Sequence, residues 1–257
     1  MVVDDFDGAD LDPDRWVRHY LPQWSSRAES AATYVVADSM LSLSIPPQQG
    51  LWCSTTHHPP LRVSGIQSGV HSGPVGSTIG QQPFLPGQRV VEEQPTRWGW
   101  TPHRGVIEVR ARMDLSARSM ASVWLVGIED EPSRSGEICL FEVFGDSIAP
   151  DGRSAAVGGG VHPFRDPSLT EDFGAPRQDV DVGDFHVYGA DWRPDRVEVL
   201  LDGQVVRTVE QSPAYPMQMM IAVFDFPERA RAEEPAHTPR LDVDWVRATP
   251  AGRGAAG

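Results

Sequence analysis

Val106-Ile107-Glu108-Val109-Arg110-Ala111-Arg112-Met113 sorts its side chains with period two: Val106, Glu108, Arg110 and Arg112 on one side, Ile107, Val109, Ala111 and Met113 on the other. Alternate residues of an extended strand share a face, so the second set is expected to meet a core and the first to meet solvent. The same period recurs along the chain. Val197-Glu198-Val199-Leu200-Leu201 and Val205-Val206-Arg207-Thr208-Val209 flank Asp202-Gly203, a dipeptide favoured in tight turns, and read as a hairpin. Further strands are expected at Tyr34 to Val36, Leu41 to Ile45, Ser122 to Val126, Glu137 to Phe144, Phe185 to Asp191, Met217 to Phe224 and Leu241 to Ala248. No helical stripe of comparable length competes.

Many short strands separated by turn signals predict an all-β, two-sheet sandwich with one outer face free to form a concave cleft. A chain of 257 residues is within the reach of one such domain, assigned to 1–249. The run Ala251-Gly252-Arg253-Gly254-Ala255-Ala256-Gly257 has nothing to bury, so 250–257 is expected to be a disordered tail. Between Pro46 and Gln94 the sequence is rich in Gly, Pro, Ser, Gln and His, the composition of long loops, which on a rigid scaffold commonly carry function.

Acidic residues outnumber basic ones by 36 to 22, for a formal charge of -14. That field opposes phosphate backbones and anionic lipid and leaves neutral ligands unaffected, so neither nucleic acid nor a membrane is expected as a partner. No apolar stretch is long enough to cross a bilayer. The start, Met1-Val2-Val3-Asp4-Asp5-Phe6, lacks a basic segment followed by an apolar one; taken literally this is a cytoplasmic product, and a longer native chain would reverse that reading. Cys53 and Cys139 have neither metal-ligand spacing nor the density of a disulfide framework, and are read as free thiols.

Two acids interrupt the apolar run Gly136-Glu137-Ile138-Cys139-Leu140-Phe141-Glu142-Val143-Phe144-Gly145. In a regular strand Glu137 and Glu142 would point to opposite sides. A single-residue bulge between Cys139 and Glu142 would return both to one face, and two carboxyls about 5–5.5 Å apart are what a retaining glycosidase uses. From the residues alone another reading stands beside it: Glu137 begins the strand in solvent, and Glu142 is a lone acid facing an arginine on a neighbouring strand.

The chain resembles glycoside hydrolase family 16, of the concanavalin A-like superfamily. The matching segments are collinear: Asp4-Asp5-Phe6-Asp7-Gly8 with Leu11-Asp12-Pro13-Asp14-Arg15-Trp16, then Gly105 to Arg112, Ser122-Val123-Trp124-Leu125-Val126-Gly127, the carboxylate run, Phe185-His186-Val187-Tyr188-Gly189-Ala190-Asp191-Trp192, Asp202-Gly203 and Val243-Asp244-Trp245-Val246-Arg247. The resemblance implies a β-jelly-roll that cleaves β-linked glycans with retention, Glu137 as nucleophile and Glu142 as general acid/base. It also makes Gly105 to Arg112 the first cleft strand. One position departs: the family's aspartate between the two acids is here Cys139, a neutral thiol and a weaker hydrogen-bonding partner.

By the same resemblance Trp124 faces the cleft as a sugar platform and His162 binds hydroxyls, with core packing and a structural histidine as the competing readings. Trp98 and Trp100 are subsite aromatics or core, and Arg110 is read as cleft-lining, with a solvated ion-pair row on the polar face it shares with Glu108 as the competing reading. Asp244 resembles a position that helps bind a structural calcium in some relatives, although one carboxylate cannot make a site that needs six to eight oxygens; no cofactor is otherwise required. The functional expectation is an endo-acting hydrolase of a β-linked polysaccharide, with β-1,3-glucan first and galactan next, working as a monomer. The alternatives are a carbohydrate-binding protein that has lost turnover through Cys139, and a transglycosylase.

Overall fold

The computed structural model describes residues 1–230 and 237–250; apart from Pro250, the expected tail lies outside them. Among the described residues regular structure is almost entirely antiparallel strand, with helix limited to three-residue 3-10 turns such as Pro22–Trp24. No helix is long and apolar enough to cross a membrane.

Two sheets face one another. The first has eight strands and runs Gln204–Val209, Val197–Leu201, His186–Trp192, Gly105–Asp114, Arg240–Thr249, Met40–Ser44, Tyr34–Ala37, with Val2–Asp4 added beside the end of Arg240–Thr249. The second has six and runs Asp172–Gly174, Gly158–His162, Glu137–Phe144, Ser119–Gly127, Met217–Asp225, Arg62–Gln67. The hairpin turns at Asp202 and Gly203, both with positive φ (49° and 73°), the geometry that matches the right-handed twist of the flanking strands.

The main core fills the space between the sheets. Ile107, Val109, Ala111 and Met113 enter it from the first sheet, while Val106, Glu108, Arg110 and Arg112 stay half-buried on its outer face. Ala121, Val123 and Leu125 enter it from the second sheet together with Met219, Ile221 and Val223. The intervening residues Met120, Trp124, Val126, Met220, Ala222 and Phe224 point to the other side, into a second hydrophobic cluster. The expected open face is therefore open only in part. Leu21, Trp24, Trp52, Leu61, Val63 and Val90 pack on that side. Segments from the long loops thus cover the half of the second sheet formed by Ser119–Gly127, Met217–Asp225 and Arg62–Gln67, because leaving so much apolar surface wet would be costly.

Candidate active site

The uncovered part of the concave side centres on the Glu137–Phe144 strand. Its register against both neighbours slips by one residue: Gly158 pairs with Glu142 but Gly160 with Cys139, and Val123 pairs with Phe141 but Trp124 with Cys139. The extra residue is at Leu140. Leu140 and Phe141 consequently both join the main core, next to Ile138 and Val143, and Glu142 returns to the side of Glu137 and Cys139. Local hydrophobicity drives this arrangement, since two adjacent apolar residues can both be buried only if the strand kinks.

Glu137 is nearly buried, at 9% exposure. Burial first, then the adjacent Glu142 carboxylate, push its acid up to about 8, against a hydrogen bond from Gln82 that pulls it down. Burial also raises Glu142, and His162 opposes that rise. The charge of Glu142 thus opposes ionisation of Glu137, and the two acids are coupled. Cys139, between them and fully buried, has its thiol raised well above the ordinary range by burial and by both acids. It is a neutral part of the floor rather than a group a ligand can reach.

Two loops leave the second sheet at the Glu137 end, since Glu137 pairs with Val126 near the close of one strand and with His162 at the close of another. The first brings Glu129, the second Phe164 and Arg165. Tyr215 ties them down: its hydroxyl accepts from Gly136 N at 2.6 Å and donates to Asp166 Oδ2 at 2.7 Å. Arg165 N donates to Ser135 Oγ at 2.8 Å, and its guanidinium pairs with Glu129. Glu129 is itself buried, and desolvation raises it to about 7 despite the arginine. Its Oε1 accepts from Gln82 N at 2.6 Å, while Gln82 Nε2 donates to Glu137 Oε2 at 2.9 Å. A chain of contacts thus runs from Arg165 through Glu129 and Gln82 to Glu137.

His162 lies beside the acids, Nε2 4.0 Å from Glu137 Oε1 and Nδ1 2.8 Å from Glu171 Oε1. Its ring stacks on Phe173 at 4.7 Å. Phe173 fits there because Gly158 has no side chain; a Cβ would come within 2.5 Å of the ring.

Three expectations are corrected. Trp124 does point to the concave side, but it is 5% exposed, packed among Tyr20 and Phe224 with its indole N–H 3.4 Å from Gln82 Oε1. The loop cover leaves no open ring face there for a sugar. Trp100 packs against the main core, edge-on to Trp16 at 6.2 Å; Trp98 stays exposed on a two-residue strand paired with Gly69–Val70, so the two do not share a face. Arg110 is on the first sheet, in the Gly105–Asp114 strand, which is therefore not a cleft strand. Its guanidinium binds Asp244 Oδ2 at 2.5 Å and lies over the Phe185 ring. Asp244 is thereby matched with a cation on the outer face. Among the described residues no three His, Cys, Asp or Glu side chains gather as a metal site.

Gln82, Glu129, Phe164, Arg165 and Phe173 were not singled out by sequence. Only the loop-rich composition around Gln82 hinted at one of them, whereas Glu129-Asp130-Glu131 reads as an ordinary solvated acidic run.

The sequence matches the family model for glycosyl hydrolases family 16 over residues 103–247. It is 31% identical over 119 residues to a glucan endo-1,3-beta-glucosidase from Cryptopygus antarcticus, covering 44% of this chain and 41% of that protein, so it spans well under half the length of this curated relative. The fold is similar to a GlcNAcα1-4Gal releasing endo-β-galactosidase from Clostridium perfringens, with a TM-score of 0.79 at 20% identity over 96% of this chain and 62% of the other. It is also similar to the laminarinase catalytic domain from Thermotoga maritima, with a TM-score of 0.63 at 15% identity over 98% and 97%.

Proposed function

The chain belongs to glycosyl hydrolases family 16, whose model covers more than half of it, and on that premise we propose that it is a retaining endo-glycosidase of a β-linked polysaccharide, with Glu137 as nucleophile and Glu142 as general acid/base. The observation that carries the proposal is the bulge at Leu140, which turns both acids to one face. In the first step an oxygen of Glu137 attacks the anomeric carbon and the glycosidic bond breaks as the Glu142 proton passes to the leaving oxygen. In the second, Glu142 takes a proton from water, the water oxygen attacks the same carbon, and Glu137 is released.

The working form needs the shared proton on Glu142 and a charge on Glu137. Burial favours the opposite placement, and the Gln82 N–H offsets it by binding the charged form of Glu137. β-1,3-Glucan is the leading substrate, by the name of the Cryptopygus relative, with a galactan second, by that of the Clostridium enzyme. The buried neutral Cys139 and the raised Glu137 favour one rival, a glycan-binding protein without turnover.

Reducing ends released from soluble β-glucans and galactans are measured for wild type, Glu137→Ala and Glu142→Ala, and the two variants are also incubated with azide and an aryl β-glycoside, with the released phenol and the glycosyl azide as readouts. Azide needs no base to activate it and a phenolate leaves without an acid, so azide restores turnover of the aryl glycoside in both variants, giving a glycosyl azide of retained configuration with Glu142→Ala and of inverted configuration with Glu137→Ala. Binding by wild type without any release of reducing ends would establish the binding-protein reading instead.

A further inference from the structure

Beyond Glu137, on the side away from Glu142, the loops enclose a cavity of about 530 Å³ walled by Gln82, Phe84, Gln88, Glu129, Phe164 and Arg165, within the range of about 300–1,000 Å³ usual for ligand pockets. We propose that this cavity is a subsite for a neutral pyranose unit of the same polysaccharide chain whose cleavage the two acids carry out; the inference rests on the hydrolase reading and adds where the chain lies and what sugar chemistry it accepts.

Its lining is suited to a sugar, which presents an apolar face and a rim of hydroxyls. Phe164 is 55% exposed, and its ring at the cavity wall offers an apolar surface on which a sugar face can stack. Phe84 forms another wall, propped from behind by Trp52 and His57 at ring separations of 5.1 and 5.0 Å. Gln82, Gln88 and the half-exposed Arg165 supply hydrogen-bonding groups along the rim. The charged groups of the wall, Arg165 and Glu129, are already paired with each other, so the cavity offers no uncompensated charge to an acidic sugar. The net charge of -14 disfavours one further.

The cavity is continuous with the acids in two ways. Gln82 belongs to its wall and bonds Glu137. A row of rings, Phe173, His162 and Phe164, with neighbouring separations of 4.7 and 5.9 Å, leads from beside Glu142 past Glu137 to the cavity. Gln82, Glu129 and Phe164, with φ of 43°, 58° and 44°, all have the left-handed backbone that such residues rarely take, and conformations of that kind cluster where a chain is shaped around a ligand.

The test uses the full chain silenced by Glu142→Gln and titrates it calorimetrically with neutral β-linked gluco- and galacto-oligosaccharides of increasing length and with uronic-acid oligosaccharides. Affinity is expected to step up by about tenfold once a neutral chain is long enough to reach the cavity. Adding Phe164→Ala should abolish that step, Phe164→Tyr should keep it, and the acidic chains should not show it. A step unaffected by Phe164→Ala, a stronger step with acidic sugars, or no binding of any chain would each overturn the subsite. Failure of the hydrolase reading looks different: wild type would bind the neutral chains with the step and release no reducing ends.

Discussion

The side-chain amide of Gln82, from a loop some 55 residues earlier in the chain, donates to Oε2 of Glu137 at 2.9 Å, while its backbone N–H is held by Glu129. The nucleophile candidate is thus oriented by a neutral donor from outside its own strand, and the residue two positions along that strand, Cys139, is a buried thiol. A donor aimed at a carboxylate favours its charged form.

Gln82→Leu removes that donor, and Glu137 rises further. The bell-shaped profile of kcat/KM against pH, whose alkaline limb is set by the last proton of the acid pair, is expected to fall near pH 8 in the wild type. In the variant the limb moves to higher pH and the maximum drops by about tenfold, the equivalent of one pKa unit in the balance between the two placements of the proton. A lower maximum with an unmoved limb would reduce Gln82 to a packing residue.

Glu137→Gln should make the protein more stable while abolishing turnover. The folded-state value of Glu137, about 8, exceeds its ordinary value of 4.5, so the folded protein binds more protons in that window and stability is lost as pH rises through it. The amide cannot ionise, and the gain over wild type should grow from nothing at pH 4 to about 2–4 kcal/mol at pH 8. Thermal melts across this range check the slope. Glu129, raised to about 7, leaves a smaller slope of the same sign in the variant.

Cys139→Asp introduces a third carboxyl into a fully buried position between two others. At pH 5 it stays protonated and can donate to Glu137, so turnover should rise by up to about tenfold. Above pH 7 the added acid should cost about 2 kcal/mol of stability, seen as a lower melting temperature. A fall in kcat at pH 5 with the melting temperature intact would show that the thiol is already the better neighbour.

Arg110→Ala should leave kcat/KM within about twofold of wild type and lower stability by less than about 1 kcal/mol, as for other solvent-exposed ion pairs. Its partner is Asp244 on the outer face, separated from the acids by the whole main core. A large loss of activity would contradict the placement of the Gly105–Asp114 strand in the first sheet.

Much of the scaffold was legible because it depends on local pattern. The alternation from Ile107 to Met113, the turn at Asp202-Gly203 and the limits of the Glu137–Phe144 strand follow from side-chain period and backbone sterics. The bulge was not fixed by the pattern, which left Glu142 free to face outward on a regular strand; the family resemblance favoured it, and burial of both Leu140 and Phe141 shows why it forms. Alternation states that Arg110 opposes a core, but not which sheet it opposes it from, and so Arg110 was read into the cleft. The fate of Trp124 depended on loops folding back over it, a long-range packing event with no periodic signature. Gln82 and Arg165 act through contacts between residues far apart in sequence, which only the folded chain brings together.

The second hydrophobic cluster makes the loops more than a border. Trp24, Trp52 and Phe84 anchor the covering layer to the back of Trp124 and Phe224, and Gln82 reaches Glu137 from that same layer. The setting of the acid pair therefore depends on the cohesion of a layer that could loosen while both sheets stay intact. Warming would be expected to disarm the chemistry before it melts the sandwich, with the newly wetted indole of Trp124 as the optical sign that it has happened.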